Sequence, residues 1–294
     1  MTIRIGTRGS KLALWQANFV AKQLNDQGVA TEIVTISTQG DRVQDRFLHE
    51  MGGKGVFIRE LETALQENKI DCAVHSLKDL PAELPEGFQL EACLERHQPT
   101  DTLIMKSKRL GSHAVTPNSL NAMGPLTIAT GSLRRMHLLK EACPEVTTVP
   151  IRGNVDTRLR KLEESQEWDG IILATASLER LSLTLEHAQS LNQDWFVPSS
   201  CQGIIAIETR ANETHTEIRN LNHAPTELAA RVERGVLAAL GGDCTLPVGV
   251  HYTEEKCQAF LFRNEQYYRT TIPSSPEISL MIDHVMKSLR LDPA

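Results

Sequence analysis

The sequence predicts an α/β protein of three domains, and three observations predict it. Strand-like and helical periods alternate as β-α-β-α-β through Ser76, the mark of a parallel sheet. After a polar stretch at Arg96–Asp101 that contains Pro99, the pattern of strand, small polar turn and helix occurs three more times. Past Pro198-Ser199-Ser200-Cys201-Gln202-Gly203 the chain changes character: one strong helix, alternating segments and a last helix make a small α+β unit. A length of 294 residues is ample for cores of this number.

Ile3 to Gly6 reads as a strand that runs into the polar loop Thr7-Arg8-Gly9-Ser10. Leu12, Trp15, Phe19, Val20 and Leu24 then recur at helical spacing, and Thr31 to Thr38 is a β-branched strand. Gln39 to Met51 is polar and lacks period, and Gly52-Gly53-Lys54-Gly55 follows it without P-loop spacing. Phe57, Leu61 and Leu65 open a helix that leads to the strand ending at Ser76, and Leu90 to Leu94 is another strand. In the second domain Thr102–Met105, Leu126–Thr130, Val146–Ile151 and Gly170–Thr175 read as strands. The last three run into Gly131-Ser132-Leu133-Arg134-Arg135, Arg152-Gly153-Asn154 with Arg158, and Ser177-Leu178-Glu179-Arg180. Gly203 to Thr209 is a strand. Leu228, Val232, Val236 and Leu240 share a helix face that ends at Gly241-Gly242, with Asp243-Cys244 beyond it. Val248–Tyr252, Ala259–Arg263 and Tyr267–Ile272 alternate, and Ile278–Leu289 is the final helix.

The totals exclude several classes. Aromatic residues are 4% and the net charge is −6, so neither a stacking surface nor a basic footprint for nucleic acid is expected. No apolar run approaches the ~20 residues a membrane span needs. No signal or transit pattern is present, and the six cysteines (72, 93, 143, 201, 244, 257) show no CxxC, so the expected home is a reduced cytoplasm. The ten histidines include no HExxH and no Cys/His ligand spacing, so no metal is expected.

The stretch with most chemistry is Ala73-Val74-His75-Ser76-Leu77-Lys78-Asp79-Leu80-Pro81, where a buried strand ends and a hydroxyl, an amine and a carboxylate follow within four positions. Strand ends of this kind bind ligands in open α/β sheets. Asp79 is a candidate acid, base or counter-ion for a developing cation, or a plain turn cap. Ser10 at a helix start, beside Arg8, is an anion site or an ordinary cap. Lys54 among its glycines suggests an anion-facing loop. Arginine near a helix N-terminus opposes the dipole, so three such placements suggest that Arg134, Arg135, Arg152, Arg158 and Arg180 converge on carboxylates or phosphates. Solvated helix faces are the bland alternative.

Six segments together resemble the porphobilinogen deaminase (hydroxymethylbilane synthase) family. They are Thr7-Arg8-Gly9-Ser10 with Leu12–Gln16, Gly52–Gly55, Ala73–Asp79, Ser132–Arg135, Ile151–Val155 with Thr157-Arg158-Leu159, and Gly241–Cys244. They run in the same order over nearly the whole chain. The resemblance implies an enzyme that joins four porphobilinogen units head to tail, releases ammonia at each step and frees a linear tetrapyrrole. It implies a covalent dipyrromethane cofactor held as a thioether on Cys244, and a monomer.

It also implies two doubly wound lobes like those of periplasmic binding proteins, with the chain crossing twice between them, and a small C-terminal α+β domain. The boundaries are then 1–97 with 200–217, 98–199 and 218–294. Asp79 matches the catalytic aspartate, which would stabilise the azafulvenium cation left by ammonia. Lys78, Ser76, Thr130, Ser132, Arg134, Arg135 and Arg158, with Asp79 and Cys244, would bind the cofactor. Arg8, Ser10, Arg152, Arg180, Gln202 and Lys54 would bind substrate carboxylates. Asp41–Met51 would be the mobile lid.

Two departures stand out. Cys201-Gln202-Gly203 replaces the common Gly-Gln-Gly, which puts a thiol near the cleft, and Gln39 stands where an arginine often precedes Gly-Asp. The main rival is a non-catalytic two-lobed anion receptor, which gives Asp79 and Cys244 no role. Ammonia release from porphobilinogen separates the two.

Overall fold

The computed structural model describes residues 2–37, 58–106, 115–241 and 246–289. The expectations for Thr38, Asp41–Met51, Gly52–Gly55 with Lys54, Phe57 and Gly242–Cys244 therefore lie outside the described residues.

The first sheet holds β1 (Thr2–Arg8), β2 (Ala30–Ile36), β3 (Cys72–Ser76), β4 (Phe88–Cys93) and β10 (Ile205–Arg210), in the order β2-β1-β3-β10-β4. Helix α1 (Lys11–Asp26) connects β1 to β2 and buries Gln16, Ala17, Val20, Ala21 and Leu24 on one stripe. Helix α2 (Arg59–Gln66) precedes β3 and buries Leu61, Ala64 and Leu65. β3 is buried on both faces as far as His75, which explains its run of small apolar residues.

The second sheet holds β5 (Asp101–Met105), β6 (Leu126–Ala129), β7 (Val146–Val149), β8 (Gly170–Ala174) and β9 (Ala188–Ser190), in the order β7-β6-β8-β5-β9. Its helices are α3 (Pro117–Asn121), α4 (Leu133–Ala142), α5 (Val155–Glu164) and α6 (Thr175–Arg180). After α7 (Thr216–Arg219) comes α8 (Ala224–Ala239). It packs on the antiparallel sheet of β11 (Val248–Tyr252), β12 (Lys256–Arg263) and β13 (Gln266–Pro273), beside α9 (Ile278–Ser288).

The parallel run expected through Ser76 is present, since β1 pairs in parallel with both β2 and β3, but each sheet also takes in antiparallel strands. β10 runs antiparallel to β3 and β4, and β5 runs antiparallel to β8 and β9. The reason is the connection. A parallel neighbour needs a crossover helix, whereas these two strands enter directly from the other sheet. The pairing has a consequence for function. Ile205 opens β10 opposite Ser76, the end of β3, and Asp101 opens β5 opposite Ala174, the end of β8. Both inter-sheet crossings therefore lie at the carboxyl ends of the parallel strands. Sequence periodicity did not resolve α3, β9 or α7, which span only five, three and four residues.

Candidate active site

Every expected site residue among those described sits at or after the carboxyl end of a parallel strand or in the second crossing. Arg8 closes β1, and Ser10 caps α1 by accepting the Ala13 N–H at 3.2 Å. Ser76 ends β3 and accepts a hydrogen bond from Gln16 Nε2 at 2.7 Å. A single 3-10 turn, Leu77–Asp79, then buries Leu77 and leaves Asp79 exposed. Thr130 follows β6, and its hydroxyl accepts the Ser132 N–H at 3.2 Å. Ser132 caps α4 by accepting the Arg135 N–H. Ser10 is thus a genuine cap, the plainer of the two readings its position allowed, and Ser132 is one as well, yet each hydroxyl keeps a proton to donate.

The arginines divide into kinds that the sequence did not separate. Arg134 and Arg135 are buried on the first turn of α4 and share one buried carboxylate, Asp101. Arg134 Nη2 donates to Asp101 Oδ2 at 2.7 Å and its Nη1 to the Val197 carbonyl at 2.7 Å. Arg135 donates to Asp101 Oδ1 from Nε at 3.1 Å and Nη2 at 2.7 Å, and to the Ile172 carbonyl from Nη1 at 2.8 Å. Burial pushes the Asp101 carboxyl up, but the two guanidiniums outweigh it and hold the group well below the usual carboxylate range.

Arg158, in the first turns of α5, donates from Nε to the Gly153 carbonyl at 2.7 Å. Burial pushes its guanidinium down to about 10, Arg135 and Arg152 add to the fall, and Asp79 opposes it. Arg180 is a correction to the expected pattern. It ends α6 instead of opening it, a position where the helix dipole favours a cation. Its Nη2 donates to the Gly203 carbonyl of the second crossing at 2.7 Å, and its guanidinium lies 6.0 Å from the Trp15 ring centre.

Lys78 completes the constellation. Its ammonium donates to Gln202 Oε1 at 3.2 Å, and Gln202 Nε2 donates in turn to Asp101 Oδ1 at 3.0 Å and to the Pro99 carbonyl at 2.7 Å. Burial pushes Lys78 down to about 8; Asp79 and Asp101 oppose that, and Arg135 and Arg134 add to it. Lys78 and Asp79 from the first sheet thus sit within electrostatic reach of Arg134, Arg135 and Arg158 from the second. Two buried donors, Arg134 Nε and Arg180 Nε, have no acceptor among the described residues.

The second crossing is held tightly. Gly203 has φ +89°, and a Cβ there would lie 2.4 Å from the His97 carbonyl oxygen. Cys201 is also left-handed, at φ +60°. Its thiol does not face the cleft. It is buried against Leu77, Cys93 and Ala230, and burial pushes it well above the ordinary thiol range. Its backbone N–H donates to Glu233 of α8. Glu233 Oε1 also accepts from Arg96 Nη1 at 2.6 Å and from the Tyr252 N–H at 2.8 Å. One carboxylate therefore joins both crossings to the third sheet.

Sequence reasoning gave no role to Asp101, Arg96, Gln16 or Glu233. Glu233 was findable, because it follows Thr226, Ala229 and Ala230 on the buried stripe of α8. Asp101 left only a weak signal, a carboxylate opening a buried strand.

Two mixed sheets whose strand ends bring buried cations and one exposed carboxylate together define an α/β protein with a cationic junction between its sheets. The chain belongs to the porphobilinogen deaminase family. The family described as "Porphobilinogen deaminase, dipyromethane cofactor binding domain" matches residues 3–218. Porphobilinogen deaminase of Nitratidesulfovibrio vulgaris is 43% identical over 84% of this chain and 76% of its own length. That of Syntrophomonas wolfei is 44% identical over 84% and 79%. Among solved structures, the methionine binding protein MetQ has a TM-score of 0.44 at 13% identity, over 81% of this chain and 94% of its own.

Proposed function

We propose that this protein is a transferase that joins four porphobilinogen molecules head to tail into hydroxymethylbilane, with release of ammonia, in porphyrin and haem biosynthesis. The observation that carries the reading is Asp79, exposed at the end of β3 and within reach of Lys78 and Arg158. Porphobilinogen carries an acetate and a propionate, so each added unit brings two carboxylates to be received. Loss of ammonia from its aminomethyl group leaves a cation on the pyrrole. Asp79 stabilises that cation through space and takes part in the proton transfers. The surrounding cations bind the carboxylates and so fix the reacting carbon beside Asp79.

The residues present fit a dipyrromethane group. It too carries acetates and propionates, and Arg134 Nε is a buried donor in want of an acceptor. Lys78, Ser76, Thr130, Ser132, Arg134, Arg135 and Arg158 would hold it, with Asp79 beside it. Arg8, Ser10, Arg152, Arg180, Gln202 and Lys54 would receive the substrate and the growing chain. When bound, the group supplies the primer to which units are added. Cys244 is the proposed anchor. The five described cysteines support that choice: all are buried, and burial pushes Cys72, Cys93 and Cys257 up to about 12 and Cys143 to about 11. A thioether needs an accessible thiolate, which none of these offers.

We read the three sheets as three domains, bounded at 1–97 with 200–217, 98–199 and 218–294. We also infer a cytoplasmic monomer that binds no nucleic acid. Among the described residues no helix is long and apolar enough to cross a membrane. The test is ammonia release from porphobilinogen together with the intact mass of the denatured protein. A mass excess of two linked pyrrole units, lost in Cys244→Ser and kept in Cys201→Ser, is expected. Absence of both excess and ammonia release, after incubation with porphobilinogen, would sink the reading in favour of an anion receptor.

A further inference from the structure

We propose that Asp101 is a positioning residue of this site: its one carboxylate aims the forks of Arg134 and Arg135 and, through Gln202, the ammonium of Lys78. The carboxylate is fully buried at the first crossing, and both its oxygens are occupied. Oδ2 receives Arg134, while Oδ1 receives Arg135 and Gln202 Nε2. The amide oxygen of Gln202 then accepts from Lys78 at 3.2 Å. A single chain of hydrogen bonds therefore runs from α4 of the second sheet, through the first crossing and the second crossing, to the turn after β3.

Two consequences separate this from a merely structural counter-ion. First, Arg134 and Arg135 bring two positive charges to the site and Asp101 cancels one, so the pair presents a net single charge in a fixed direction. Asp101, with the Val197 and Ile172 carbonyls, fixes both guanidiniums in place, so a ligand does not have to order them itself. Second, the Lys78 ammonium is tied to Asp101. It faces Asp79 from its own turn, Arg134 and Arg135 from α4, Asp101 from the start of β5, and the Gln202 amide from the second crossing. Of the charged groups, Asp79 and Asp101 favour the protonated amine and Arg135 and Arg134 oppose it, so removing Asp101 takes away one of its two supporting carboxylates.

The inference rests on the proposed function only in saying whose carboxylates the cations receive. Its test can stand apart from turnover. In full-length protein labelled with 13C at lysine, the Lys78 signal, assigned by its loss in Lys78→Arg, is titrated in wild type, Asp101→Asn and Asp71→Asn. Asp71→Asn removes a carboxylate that clamps Arg4 in the first sheet, and serves as the stability control. The expected result is a fall of about one pH unit in the Lys78 midpoint in Asp101→Asn, a tenfold change in its acid dissociation constant. The alkaline limb of kcat/KM for ammonia release moves with it, and Asp71→Asn leaves both where they were. An unmoved Lys78 midpoint in folded Asp101→Asn overturns the proposal, as does an equal shift in Asp71→Asn. If Asp101→Asn does not fold, Gln202→Met decides. That variant keeps the counter-ion and breaks the link, so an unchanged Lys78 midpoint overturns the proposal and a lowered one supports it. A shifted Lys78 signal in a wild type that releases no ammonia would remove the function reading and leave the positioning role intact.

Discussion

At the scale of single residues, two groups with adjacent numbers carry opposite duties. Asp79 is exposed, and its proposed duty is to act on the reacting pyrrole. Asp79→Asn should lower kcat for ammonia release by roughly two to three decades, a few kcal/mol of electrostatic stabilisation, without unfolding the protein. A rate within threefold of wild type would remove Asp79 from the chemistry. Lys78 has a pH signature with two signs. Burial pushes its ammonium down from 10.5 to about 8, so the folded protein holds this proton less tightly than the unfolded chain. Its charge therefore destabilises the fold below pH 8, and that penalty is relieved as pH rises from about 8 to 10.5. Binding behaves the other way, since carboxylate affinity needs the charged amine. Above pH 8, KM for porphobilinogen should rise while the contribution of Lys78 to thermal stability improves. Lys78→Met should lose both trends, which a paired pH series of KM and Tm would read.

At the scale of elements, the second crossing and α8 bear the geometry. Gly203→Ala places a Cβ on the His97 carbonyl at a φ that disfavours side chains. A loss of about 1–3 kcal/mol is expected, visible as a lower denaturation midpoint. Glu233 offers an acid-side test. Burial pushes its carboxyl up, but Arg96 and His251 outweigh that and bring it down to about 2 from 4.5. Its stabilisation is fully present above pH 4.5 and is lost as pH falls from 4.5 toward 2. Glu233→Gln leaves the Arg96 guanidinium, 12% exposed, without its counter-charge and should cost about 3–5 kcal/mol at neutral pH. It should also flatten the fall of Tm between pH 4.5 and 2 relative to wild type. A variant whose acid limb stays as steep would show that Glu233 is not the titrating group.

At the scale of the whole molecule, a chain of net charge −6 gathers buried guanidiniums at one junction between two sheets. On the proposed function the overall charge repels an anionic substrate, and the local field of these cations draws it in. Because screening acts at about 10 Å at 0.1 M salt, added salt should raise KM for porphobilinogen several-fold and leave kcat little changed. Equal effects on kcat and KM, measured as initial rates over a salt series, would mean that salt acts on the fold. The contact between Lys11 and Asp156 at 3.4 Å joins the first turns of α1 and α5 across the same junction, and both side chains are exposed. Such a pair contributes at most about 1 kcal/mol and is not what holds the sheets together.

The sequence by itself determined the α/β class and the run of elements, and it marked most of the candidate site. Apolar periodicity and turn chemistry are local, and Ser76–Asp79, Ser132–Arg135 and Arg152–Arg158 are contiguous at strand ends. It could not show the direction of β5 and β10, because a strand's sense depends on which sheet it enters. Nor could it separate the arginines. Whether a guanidinium faces a ligand or an internal carboxylate depends on residues 33 or more positions away, as Asp101 is from Arg134. Tertiary structure alone brought Lys78, Gln202, Asp101 and the α4 arginines into one hydrogen-bonded chain, and it turned Cys201 away from the cleft. These are long-range electrostatic and packing choices, made only when two strands cross between sheets and place their first residues against the last residues of others.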